Sequence, residues 1–154
     1  IYSYLNQTNI NSVTLSENWD ASSCTGEDIL ADVLALKQAM ITDRRYGPYA
    51  LYIPTAYETV LDDEFKSNSD KSIRQRLNEV SGLNSIKVVD HLPANTVVMV
   101  QLTSDVVRLV QGLPLTTVQW DSGDGMRVNF KVMTIAAPQI RADANGRSGI
   151  VVLS

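Results

Sequence analysis

Side chains that carry chemistry are scarce in this chain. One cysteine, Cys24, and one histidine, His91, stand among 154 residues. A single thiol closes no internal disulfide, so folding does not depend on an oxidising compartment and a cytoplasmic site of folding is expected. Two soft ligands fall short of the four that a structural zinc site takes, and neither a metal nor another cofactor is expected. Any Ser–His–Asp or Cys–His site would have to use His91. It precedes Leu92-Pro93 in what reads as a turn, where a lone histidine is ordinarily structural or exposed. Cys24 lies just before a helix start, a place that can lower a thiol pKa; the plainer reading is a small residue at the approach to a cap. A Gly-rich phosphate loop of the P-loop or dinucleotide kind is missing. No apolar run approaches the roughly 18 residues of a membrane span, and the first residues, Ile1-Tyr2-Ser3-Tyr4, do not form a signal peptide. A net charge of −4 disfavours a dedicated nucleic-acid binder, though not a local basic patch.

The remaining polar constellations are weak. Arg141-Ala142-Asp143-Ala144-Asn145-Gly146 resembles the start of a calcium loop, but the first ligand position would be Arg141 and the twelfth Val152, which rejects it. Asp121 and Asp124 sit in a Gly-rich turn that could hold a hard cation loosely; a solvated hairpin turn is the simpler account. Asp62-Asp63-Glu64 diverge around a helix axis and form no acid/base pair.

What is present is a folding pattern. The chain is 44% hydrophobic and 19% charged, as a folded domain is. Residues 1–20 read as extended, with a short strand at 13–15. Thr25 and Asp28 form a capping box, and Ile29, Val33, Leu36 and Met40 recur at helical spacing, widened by Leu30, Leu34 and Ile41. So wide a stripe needs a broad partner such as a sheet. Tyr46-Gly47-Pro48 should stop this helix. Residues 49–53 form a strand. Pro54-Thr55 opens a second helix, capped by Thr55 with Glu58 and carrying Tyr57, Leu61 and Phe65 on one face. A third helix carries Ile73, Leu77 and Val80 and stops at Ser81-Gly82. The second half reads as β: strands at 86–89 and 96–100 joined by a turn at 91–95, a run at 106–110 that is either strand or helical turn, and a long strand from 126 to about 137. In the last, Val128, Phe130, Val132 and Thr134 alternate with Arg127, Asn129, Lys131 and Met133, so one well-buried face is expected. Asn145-Gly146 is a tight-turn signal, and residues 149–153 close the fold. The class is α+β.

Three stretches carry a resemblance. Leu5-Asn6-Gln7-Thr8-Asn9-Ile10 resembles a strand segment that precedes a long spine helix, here residues 26–42. Tyr46-Gly47-Pro48-Tyr49-Ala50-Leu51-Tyr52-Ile53-Pro54-Thr55-Ala56-Tyr57-Glu58 looks like the passage into an axial domain, where a strand ends at Pro and a helix starts at once. Residues 107–117 through 127–132 resemble the return to a peripheral domain, with residues 149–153 as its closing strand. Together they are similar to the second part of a Hong Kong 97-like major capsid protein of tailed phages and prophages, a family related to the encapsulins. That family carries an N-terminal arm and an extended loop before the spine helix, and this sequence starts after both.

The resemblance implies a Hong Kong 97-like capsid fold: a spine helix on an antiparallel sheet, with an inserted axial domain. Residues 1–45 and 121–154 would be the peripheral domain, the helix at 26–42 lying on the long strand at 126–137, and residues 46–120 the axial domain. It implies a non-enzymatic shell subunit whose partners are copies of itself, in pentamers and hexamers, with enclosed DNA or a cargo protein and a separate chain supplying the N-terminal part. No membrane partner is implied; the place is a virion capsid assembled in the host cytoplasm. Candidate contacts between subunits or with the interior are Arg44, Arg45, Tyr46, Asp121, Asp124, Arg141 and Arg147. Arg44 and Arg45, just past a helix C-terminus, also complement its dipole. The competing readings are an encapsulin-type compartment around an enzyme cargo, a small α+β hydrolase using Cys24 or His91, and a monomeric binding module.

Overall fold

The computed structural model describes residues 10–68 and 70–154. It divides into two compact units, one reaching to Val106 and resuming at Arg141–Ser154, the other Val107–Ile140. The strand segment expected at residues 5–10 lies almost wholly outside the described residues.

The first unit is built on a mixed five-stranded sheet. Its strands are β1 (Asn11–Val13), β2 (Tyr49–Ile53), β3 (Leu83–Val88), β4 (Val97–Gln101) and β7 (Ile150–Leu153), in the order β1-β7-β4-β2-β3. β1 runs parallel to β7 and β2 parallel to β3, whereas β4 is antiparallel to both β2 and β7. Every residue of β4 is buried, as befits the central strand. The segment at residues 91–95 is therefore not a hairpin turn: β3 is an edge strand, and the chain passes β2 to reach β4. Likewise β7 does not pair back across Asn145-Gly146 but inserts between β1 and β4.

The first helix, α1 (Gly26–Thr42), begins as expected. The Thr25 hydroxyl accepts from the Asp28 amide and the Asp28 carboxylate accepts from the Thr25 amide. The helix ends at Thr42, as the expected span 26–42 had it, ahead of Gly47 and Pro48. Arg44 takes the left-handed conformation at φ 60°, its amide donates to Ile41 O, and the Arg45 amide donates to Met40 O. This is a Schellman turn with arginine where glycine is usual. Ile29, Val33, Leu36 and Met40 are fully buried and share one core with Leu51, Ile53, Val97, Met99, Val151 and Leu153. Asp32 lies buried on the same helix, accepting from Trp19 Nε1 at 2.9 Å, and Trp19 stacks on Tyr57 with ring centroids 5.2 Å apart.

The second expected helix is not α-helical. Residues 55–57 and 60–62 form two 3-10 turns, and Thr55 makes no side-chain cap. The reason lies in Arg74. It donates to the Glu58 carboxylate at 2.8 Å, to the Asp62 carboxylate at 2.7 Å and to the Glu58 carbonyl, an oxygen that a continuous α-helix would reserve for its own backbone. Tyr57 and Leu61 are buried nonetheless. α2 (Ile73–Asn78) starts from a Ser72–Gln75 capping box and buries Ile73 and Leu77.

The second unit is a two-stranded antiparallel hairpin of β5 (Val107–Asp121) and β6 (Val128–Ile140). The ambiguous run at 106–110 resolves as strand. Bulges at 111–113 and 113–116 accommodate Gly112 and Pro114. The expectation of a buried face on the long strand is overturned: Phe130 and Val132 are 64% and 62% exposed. The helix stripe has its broad partner in the five-stranded sheet, whose Leu51, Ile53, Val97, Met99, Val151 and Leu153 share its core.

Candidate functional site

Cys24 and His91, the residues a hydrolase reading would use, lie in separate segments of the first unit. Cys24 is partly buried beside the α1 cap, and burial, reinforced by the charges of Asp28, Glu17, Asp32 and Asp20, pushes its thiol up to about 11. Such a thiol stays protonated at neutral pH and is a poor nucleophile. The acidic surroundings cancel what the helix start would otherwise do. His91 is exposed in the passage between β3 and β4. Among the described residues no group of three His, Cys, Asp or Glu side chains could hold a metal ion, and no helix is long and apolar enough to cross a membrane. An open depression of about 600 Å³ lies over Trp19, Cys24, Ile29, Phe65 and Ile73, with Glu27, Asp63, Glu64 and Lys66 on its lining.

The charged candidates fall in two places. Arg44 and Tyr46 are exposed at the end of α1, Tyr46 at 71%. Arg45 between them is engaged inside the first unit: Nη1 meets Asp105 Oδ2 at 2.9 Å and Nη2 donates to the Arg147 carbonyl at 3.4 Å. Arg45 and Arg147, far apart in the chain, are thus brought together. Arg141 is exposed. The loop around Arg147 is shaped by Asp143, whose carboxylate accepts from the Arg147 and Asn145 amides and is held below the usual carboxylate range by those bonds. Asp121 and Asp124 sit at the tip of the hairpin in the other unit. Asp124 is held low by the Ser122 hydroxyl and the Met126 amide, so it serves the turn. Asp105 escaped sequence reasoning, because nothing local marks an aspartate whose partner lies 60 positions away.

Exposed large apolar side chains concentrate in the hairpin. Ten of the fourteen large hydrophobic side chains exposed among the described residues belong to the hairpin, so its surface differs in kind from that of the first unit. Directly opposed residues share a face of a ribbon. Phe130, opposite Gln119, lies with Val128 and Val132 on one face. Trp120, opposite Asn129, lies with Val118, opposite Lys131, on the other. Alternation along β6 therefore does not separate a wet side from a dry one. A ribbon of two strands is marginal in water by itself.

The fold has known counterparts. A virus-like particle from Pyrococcus furiosus matches over 99% of this chain and 59% of its own, at 25% identity and a TM-score of 0.68. The capsid of the myovirus phage XM1 matches over 97% of this chain and 52% of its own, at 10% identity and a TM-score of 0.74. The mixed α+β architecture is thus a capsid-like fold, and the chain spans little more than half the length of these two proteins. No curated protein matches it. A family model matches residues 3–153, and the chain belongs to that family, a family of unknown function (DUF6260).

Proposed function

We propose that this chain is a structural subunit of a self-assembling icosahedral shell of the Hong Kong 97-like class, and that its work is geometric rather than catalytic. The observation that carries the reading is the likeness in fold, over almost the whole chain, to two proteins whose particles are shells. Closed shells are built from repeated contacts between copies, which reward packed apolar surface and complementary rims. The hairpin supplies such surface, and Arg44, Tyr46, Arg141, Asp121 and Asp124 are charged or aromatic rim candidates. The sheet unit then takes the place of the axial domain and the hairpin that of the peripheral one, with the borders moved to 106/107 and 140/141. This reading does not need α1 to be the spine helix, and the burial of its stripe on the sheet argues that it is not.

Two contents are distinguishable. A major capsid protein of a tailed phage or prophage encloses DNA and assembles in the host cytoplasm; an encapsulin-type compartment encloses a protein cargo. Negative-stain microscopy and size-exclusion chromatography of the full-length product test the shell itself. Particles tens of nanometres wide are expected, and a strict monomer refutes it. Nuclease treatment and the absorbance ratio of purified particles then separate nucleic acid from protein contents.

A further inference from the structure

The adjacent arginines after α1 do different things, and the difference points to a positioning role. Arg45 is held at its backbone: its amide closes the Schellman turn on Met40, and its carbonyl accepts from the Tyr49 hydroxyl. Its side chain, 15% exposed, then reaches two segments at once. One is the outgoing segment, residues 102–106, which leads to β5; the other is the returning segment, residues 141–149, which follows β6. Asp105 lies on the first and the Arg147 carbonyl on the second. These segments are zipped together at other points. The Arg141 amide donates to Val106 O at 2.8 Å, the Gln101 amide donates to Gly149 O at 2.9 Å, and buried Val106 lies against Gly149 with no room for a Cβ. The loop after α1 also receives the Leu102 amide on Pro48 O and the Gln101 carboxamide on Gly47 O.

We infer that Arg45 is a clasp that holds the outgoing and returning segments together at the root of the hairpin, and that shell assembly depends on this clasp rather than on Arg45 as an exposed contact. The assembly half rests on the shell reading above; the clasp itself does not. A guanidinium suits the task because its planar fork serves two acceptors in fixed directions, whereas an ammonium is a single point charge.

The test uses Arg45→Ala, Arg45→Lys and Asp105→Ala, the last removing the same acceptor from an exposed partner, so that it stays informative if Arg45→Ala folds poorly. Hydrogen exchange followed by mass spectrometry on the soluble subunit should show residues 102–106 and 141–149 exchanging about tenfold faster in Arg45→Ala. Arg45→Lys should be intermediate, and exchange within α1 unchanged. Particle yield should fall, or diameters become heterogeneous, at a melting temperature close to that of the parent. Unchanged exchange in both segments overturns the clasp. Faster exchange with particles of normal yield and diameter overturns its role in assembly. If the parent chain itself makes no particles, the shell reading and the assembly role fall together, and the exchange measurement still decides the clasp.

Discussion

Gly149 sits where one methyl group should be costly. A Cβ built there would lie 2.5 Å from Val106 Cγ2 and 2.7 Å from Cγ1. Carbon atoms in good contact stand about 3.5–4.0 Å apart, so the shortfall is roughly 1 Å on two atoms at once. Neither side yields easily. Val106 is fully buried and β-branched, so its χ1 has little freedom, and its carbonyl is tied to the Arg141 amide. The Gly149 carbonyl is tied to Gln101. No positive φ is involved at Gly149, so the cost is steric overpacking, expected at about 2–3 kcal/mol for Gly149→Ala. Val106→Ala alone should cost about 2 kcal/mol from lost burial. Combined, the two should cost less than their sum by about 1–2 kcal/mol, because the smaller side chain vacates the space that the new methyl needs. Urea denaturation of the soluble subunit, followed by far-UV circular dichroism, measures all four corners of the cycle. A Gly149→Ala variant within about 0.5 kcal/mol of the parent, or strictly additive costs, would refute the close approach of these two segments.

Three further outcomes are expected. Asp32→Ala strands the buried Trp19 indole N–H and should cost about 1–3 kcal/mol in the same denaturation assay, while Asp32→Asn, which keeps an acceptor, should cost less. Phe130→Asp or Val132→Asp, placed on exposed ribbon positions, should shift subunit stability by no more than about 0.5 kcal/mol yet abolish particles in size-exclusion chromatography; retained particles would remove that face from the assembly contacts. Cys24 should alkylate with iodoacetamide at pH 8 about a hundredfold more slowly than a cysteine in a short peptide, since its thiol is pushed up to about 11; its rate should keep rising as pH approaches that value, and fast labelling at pH 8 would contradict its acidic, partly buried setting.

Much of the first unit was legible locally. Thr25, Asp28 and the Ile29–Val33–Leu36–Met40 spacing placed the start, face and length of α1, because capping and helical periodicity act within four residues. The 49–53 and 96–100 runs were legible as strands for the same reason: short apolar runs between turn formers. The second helix misled because Thr55 and Glu58 make a sound capping pattern, but Arg74, sixteen positions past Glu58, captures that glutamate and its carbonyl. The left-handed Arg44 that stops α1 after Thr42 carries no mark that glycine would show. Of the candidate contacts, Arg44 and Tyr46 are exposed, whereas Arg45 turns inward to a partner that no spacing rule links to it.

The amino-acid sequence by itself determined that this is a folded α+β chain poor in catalytic side chains, with one strongly amphipathic helix and alternating strands. Only the tertiary structure decided that the helix stripe meets β2, β4 and β7, that β7 enters between β1 and β4, and that the long strands stand as a separate ribbon with apolar residues on both faces. Apolar spacing says that a face must be covered. What covers it is a competition among distant segments, decided by which surfaces are broad enough and near enough to pack, and that information is not held in any short window of the chain.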